Sequence, residues 1–143
     1  VIGTIAGGPA LQTWEHVARA LAASAAVIQE GGAIALCTEL KEPPFPALKH
    51  MAFETSEFLP PEDRPAHTAE EELVVQRIRQ TLQRASVYLV SDLESHDTES
   101  IGFTHVDDPG SLQRLGEQCD SCILLHNAQY AAPVLLQQET QTP

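Results

Sequence analysis

Residues 1–39 constrain the chain more than any other part of it, because they read as one complete βαβ unit. An apolar run at 1–6 leads through Gly7-Gly8-Pro9 into an alanine-rich helix at about 13–29. Gly31-Gly32 stops that helix, and a second apolar run fills 33–38. A crossover helix can join parallel strands, which a two-residue turn cannot. Both runs are too continuously apolar to keep a wet face, so helices must cover the sheet on both sides. The expected fold is α/β, a three-layer sandwich around a mostly parallel, Rossmann-like sheet of about five strands.

Within the helix, Trp14, Val17, Ala18, Leu21, Ala25 and Ile28 recur at helical spacing and make one buried stripe. Alanines at 18, 20, 22, 23, 25 and 26 favour helix and keep it thin. Thr13 is the expected N-cap, Glu15 suits the positive end of the helix dipole, and Gly31-Gly32 supplies a left-handed C-cap. His16 and Arg19 fall outside the stripe, three apart on another face of the first two turns. Those turns stand near the carboxyl end of the preceding strand, where open α/β sheets hold ligands, and Gly8 lines the same corner. The ordinary reading of both residues is a solvated helix face.

The composition then shifts. Proline-rich residues 41–66 form an excursion over the sheet edge, with a short helix near 47–54 and apolar anchors at Phe45, Met51, Phe53 and Phe58. A second helix follows at 68–84, with a Thr68/Glu71 capping box, Glu70 and Glu72 in the first turn, and a buried stripe of Leu73, Val74, Ile78, Leu82 and Ala85. Arg77, Arg79 and Arg84 read as a solvated face before an anion site. Residues 86–90 form a third strand that ends in Ser91-Asp92-Leu93, polar residues that could do chemistry at a strand tip or simply cap a turn. Asp92, Glu94, His96, Asp97 and Glu99 lack the spacing to converge on a metal and read as a polar loop with a short helix. A fourth strand at 101–106, a helix capped by Ser111 running to about 118 with Leu112 and Leu115 inward, and a fifth strand at 122–126 complete the pattern. His105 and His126 lie at strand ends. Residues 1–136 make one domain, 131–136 docking as a last apolar piece, and 137–143 are expected to be a disordered polar tail.

Eight basic against twenty acidic residues in 143 give a net charge of -12, which argues against nucleic acid or an anionic membrane as partner. No apolar run reaches the length of a membrane span and no leader pattern is present, so a cytoplasmic location is expected. The start at Val1, directly in a strand, suggests an excised domain or a processed product. Three cysteines make no disulfide framework. Cys119 and Cys122 form one C-x-x-C, which can be a redox pair or half a zinc site; without a second such pair, a buried structural role is the expectation, and no metal site is assigned. The dinucleotide and phosphate-loop fingerprints fail, as does the G-x-S-x-G elbow.

The stretch GGPALQTWEHVARALAASAAVIQEGGAIALCTEL resembles the C-terminal domain of the nickel-pincer lactate racemase (LarA-like) family, and ASVYLVSDL with IGFTHVDDPGSLQRL resembles the same domain further on. That resemblance implies a substrate-side domain for a small 2-hydroxy acid, from which a nickel-bound, nicotinate-derived pincer cofactor takes a hydride and returns it to the other face. It implies that Arg19 stands where the family has a lysine, and His16 where it has a glutamine, both of which help hold substrate. Arginine can still take a carboxylate, while a histidine in place of an amide is a larger departure that bears on which substrate is bound. It also implies that cofactor and catalytic residues belong to an N-terminal domain of the same parent chain, so this fragment alone would bind no cofactor. Two other readings stand beside it. One is a self-contained α/β binding or interaction module. The other is a small redox or metal protein built on Cys119 and Cys122.

Overall fold

A computed structural model describes residues 1–52, 62 and 65–136. Five strands, β1 (Ile2–Thr4), β2 (Gly32–Cys37), β3 (Ala85–Val90), β4 (Thr104–His105) and β5 (Leu124–Leu125), form one sheet in the order β4-β3-β2-β1-β5. Every pairing is parallel, with Ile2 opposite both Ala35 and Leu124, Ile34 opposite Val87 and Leu89 opposite His105. The strand connections carry helices α1 (Trp14–Ala25), α2 (Pro46–Ala52), α3 (Ala69–Arg84), α4 (Ser95–Glu99) and α5 (Pro109–Glu117).

Alternation along β2 sorts the layers. Ile34 and Leu36 point into the main core with Leu21 of α1 and Ile78 of α3, whereas Ala35 and Cys37 point the other way, towards Leu112 of α5. From β1 to β4 the chain steps across the sheet in one direction; α5 then carries it back over the whole sheet to β5, beside β1. A right-handed crossover in that returning direction lays its helix on the opposite face. One helix covers that face thinly, and Ile2, Cys37, Tyr88 and Val90 are only partly buried there.

The local signals are mostly those expected. Thr13 caps α1 by accepting from the His16 N–H, and Thr68 and Glu71 complete their reciprocal box at the start of α3. Four differences have physical causes. Helix α1 ends at Ala25, earlier than the expected residue 29, because the Val27 N–H turns back to the Ser24 carbonyl (3.2 Å) and Ile28 folds onto the core beside Gly32. In α3, Leu73 does not belong to the buried stripe: it is 46% exposed, and the core side is Val74, Val75, Ile78 and Thr81. Thr81 can be buried because its hydroxyl donates to the Arg77 carbonyl (2.9 Å) within the helix. Helix α5 is capped by Asp108, not Ser111; the Asp108 carboxylate accepts from the Ser111 N–H and hydroxyl, and that hydroxyl bond holds the carboxyl below its ordinary range. The outer strands are shorter than their apolar runs, since only Leu124–Leu125 pair with β1 and only Thr104–His105 pair with β3.

Phe45 and Met51 anchor the start of the proline-rich excursion against the core. The expected anchors Phe53 and Phe58, and the tail at 137–143, lie outside the described residues. Among the described residues no helix is long and apolar enough to cross a membrane.

The two faces of α3 give a direct check. Ile78→Ala should cost about 2–5 kcal/mol in chemical denaturation, since Ile78 is fully buried. Leu73→Ala, measured in solution dilute enough for the chains to stand alone, should stay within about 0.5 kcal/mol of the parent. Equal losses would contradict the register described.

Candidate functional site at the strand tips

One buried side chain ties the carboxyl ends of β1 and β2 together. Gln12 is 8% exposed; its Nε2 donates to the carbonyls of Ile5 (3.2 Å) and Gly7 (3.3 Å), while its Oε1 accepts from the Thr38 hydroxyl (2.6 Å) and the Glu39 N–H (3.0 Å). Both amide hydrogens and both lone pairs are thereby used. The turn that brings Gln12 into place needs glycine at position 7, where φ is 115° and an added Cβ would meet Leu11 Cδ1 at 2.4 Å. Gly8 has ordinary backbone angles and faces open space at the rim.

The strand order reverses between β1 and β5, and open α/β sheets bind ligands at such a switch point. Thr4 Oγ1 of β1 stands 3.2 Å from His126 Nδ1 just past β5. Gln129, on the turn Ala128–Tyr130, donates to the Ala6 carbonyl (3.4 Å). From the helix side, His16 meets Tyr130 edge-on, ring centroids 6.2 Å apart. The Thr13 hydroxyl accepts the helix-capping N–H of His16 (3.3 Å) and lies 2.8 Å from its ring Nδ1. The hydroxyl, with one hydrogen and two lone pairs, thereby ties the His16 ring to the cap of its own helix. Two pairs, Thr4 with His126 and His16 with Tyr130, thus bring imidazole and hydroxyl groups to the strand-tip end of the domain.

Arg19 is placed differently. Its guanidinium reaches back to Glu15 (2.6 Å) within the helix, both groups about half exposed. It stands over an open groove of about 440 Å³, bordered by Ala22, Ala26, Arg77 and Val134, and His16 does not line that groove. Ser91 and Asp92 lie at the tip of β3, two strands and roughly 10 Å from β1 along the same sheet edge. The Ser91 hydroxyl accepts from the Leu93 N–H (3.2 Å), and Asp92 pairs loosely with Lys41 (3.8 Å). Both do turn and surface work there.

The acidic run around His96 is internally paired, with His96 between Glu94 and Asp97 and Lys49 on Asp97. Among the described residues no three His, Cys, Asp or Glu side chains come close enough to hold a metal ion. His105 donates from Nε2 to Asp107 (2.9 Å) beyond the far edge strand. Cys122 is not buried as expected: β5 begins two residues later and the thin second layer leaves the thiol at its rim, so Cys122 and Cys119 are both exposed and free. Cys37 is half-buried, and burial pushes its thiol up.

Gln12, Thr4, Gln129 and Tyr130 are the site residues that sequence reasoning missed. No motif marks them, because the partners of Gln12 sit at 38–39 and those of Gln129 and Tyr130 at 6 and 16. The adjacency of β1 to β2 was the one signal that could have pointed to Gln12.

The fold is an open, all-parallel α/β sheet with a topological switch point between β1 and β5. No family model matches the chain, and the search of curated proteins finds no match. Among solved structures, the chain is similar to the lactate racemase apoprotein from Thermoanaerobacterium thermosaccharolyticum, with a TM-score of 0.65 and 15% identity. The match covers 89% of this chain and 33% of that one, so the chain spans about a third of that protein's length. At this identity the likeness is one of fold.

Gln12→Leu should cost about 2–4 kcal/mol in denaturation, because buried carbonyl and hydroxyl groups lose their partners. It should also raise amide exchange at residues 5–8 and 38–39. Thiol titration of the native chain should show Cys119 and Cys122 reacting first and Cys37 lagging, the order set by exposure and thiolate fraction.

Proposed function

We propose that the chain is the substrate-side, C-terminal domain of a LarA-like 2-hydroxy acid racemase or epimerase, incomplete without an N-terminal companion domain. The observation that carries this reading is the likeness in fold to a lactate racemase over 89% of the chain. The Gly7-Gly8 turn supports it, since it leads into the first turn of α1 and brings His16 to the strand-tip end of the helix.

In this reading His16 presents its Nε2–H to a substrate oxygen, and Arg19 supplies the cation for the carboxylate. An exposed pair within a helix is worth about 0.3–0.5 kcal/mol, so a carboxylate can take the Arg19 guanidinium from Glu15 at small cost. Among the described residues no three His, Cys, Asp or Glu side chains would hold nickel. In this reading the nickel-pincer, nicotinate-derived cofactor belongs to the companion domain, and no step is derived through it. We place the protein in the cytoplasm, in keeping with three unpaired cysteines.

The pairing of Arg19 with Glu15, away from His16, favours a second reading: a non-catalytic α/β binding module in which this helix face is ordinary surface. One titration separates the two. Amide and arginine side-chain resonances of the chain are followed as L-lactate or D-lactate is added. The first reading expects saturable shifts at Gly8, His16 and Arg19 in the millimolar range, about tenfold weaker in Arg19→Gln and a few-fold tighter in Glu15→Gln, which frees the guanidinium. Shifts that match those of sodium chloride at equal ionic strength, or that ignore both substitutions, leave the module reading.

A further inference from the structure

The outer side of α3 carries a stripe that the strand-tip site does not use. Glu70, Leu73 and Arg77 recur at i, i+3 and i+7 and so share one face of the helix. Leu73 is 46% exposed, a large apolar side chain on a helix that is otherwise polar outside. Among the described residues neither Glu70 nor Arg77 has an ion-pair partner. Arg77, one turn from Leu73, lines the alanine-floored groove of α1 together with Val134, and Val134, Leu135 and Leu136 are 79%, 68% and 89% exposed. Large apolar side chains left in water on this side of the domain are candidates for burial against a partner.

The stripe is its own complement. The midpoint of Glu70 and Arg77 lies within about 1 Å of Leu73 along the helix axis, at 1.5 Å per residue. Two copies of α3 laid antiparallel about a two-fold at that point set Leu73 against Leu73, and set each Glu70 against the other copy's Arg77. An isologous interface requires this kind of self-matching patch, whereas an unrelated partner would have no reason to find acid and base spaced symmetrically about an apolar centre. We infer that the chain forms a homodimer through α3, with Leu73 at the two-fold, reciprocal Glu70–Arg77 pairs flanking it, and the apolar segment at 134–136 closing the edge. The inference goes beyond the proposed function and does not depend on it.

Sedimentation equilibrium of the full chain tests it, with far-UV circular dichroism to confirm that each variant is folded. The parent should be a dimer at micromolar concentration, and Leu73→Glu a monomer. Glu70→Arg and Arg77→Glu should each weaken association by at least about tenfold, because each replaces two attractive pairs with two repulsive ones. Mixed in equal amounts, those two charge variants should associate with each other, since both flanking pairs are restored in the heterodimer. Arg79→Glu, on another side of the helix, should leave the parent dimer intact. A parent that stays monomeric at high micromolar concentration overturns the inference. So does a dimer indifferent to the charge variants, a mixture that stays monomeric, or an α3 face that binds only when a companion domain is supplied.

Discussion

The amide of Gln12 is the interaction on which the strand-tip geometry rests. Where β1 and β2 leave the sheet, their ladder ends, and two carbonyls on one side and two donors on the other would face low-dielectric surroundings unpaired. A primary amide is the side chain whose hydrogen-bonding capacity matches that set. Glutamate would aim negative charge at the Ile5 and Gly7 carbonyls, and leucine would satisfy none of the four groups. Because Gln12 directly precedes the Thr13 cap, the same bonds also fix where α1 begins. The position of His16 follows from a brace that never touches it.

The switch point therefore has two sides of unequal firmness. On the β1/β2 side stand the saturated amide, the tight Gly7 turn and the capped helix. On the β5 side stands a two-residue strand, tied to β1 by the Thr4–His126 and Gln129–Ala6 contacts at 3.2 and 3.4 Å. Gln129 is itself unevenly satisfied: its Nε2 has a partner, but its Oε1 is buried without one. A side held by few and long bonds opens at lower free energy than a saturated one. Local opening at the strand tips therefore falls on residues 126–130 before the start of α1.

Much of the architecture was legible in the sequence because a βαβ unit leaves few alternatives. Continuous apolar strands demand a parallel sheet covered on both faces, and the Thr13 and Thr68 caps announce their helices. What failed to show was set by contacts distant along the chain. Leu73, expected in the buried stripe, stands exposed while Thr81 is buried, because Thr81 can satisfy its hydroxyl within the helix and the core side of α3 is Val74, Val75 and Ile78. Cys122 reads as buried from its apolar context, yet the single helix on that face cannot shield it. For the site, spacing put His16 and Arg19 on one helix face and could go no further. The i, i+4 relation of Glu15 to Arg19 decides where the guanidinium points, and the Thr13 hydroxyl holds the Nδ1 side of the His16 ring.

Charge sharpens what this site can recognise. The chain carries a net charge of -12, a field that disfavours any approaching carboxylate. At physiological ionic strength that field is screened over about 8 Å, so the groups next to the ligand determine the outcome. At the strand tips these are two histidines, a threonine and a tyrosine, while the cation on α1 is paired with Glu15. Under the racemase proposal, discrimination between a carboxylate and a neutral molecule turns on whether Arg19 leaves Glu15. An exposed pair within a helix is weak enough to allow that exchange, so the proposal gives Glu15 as direct a part in anion affinity as the arginine.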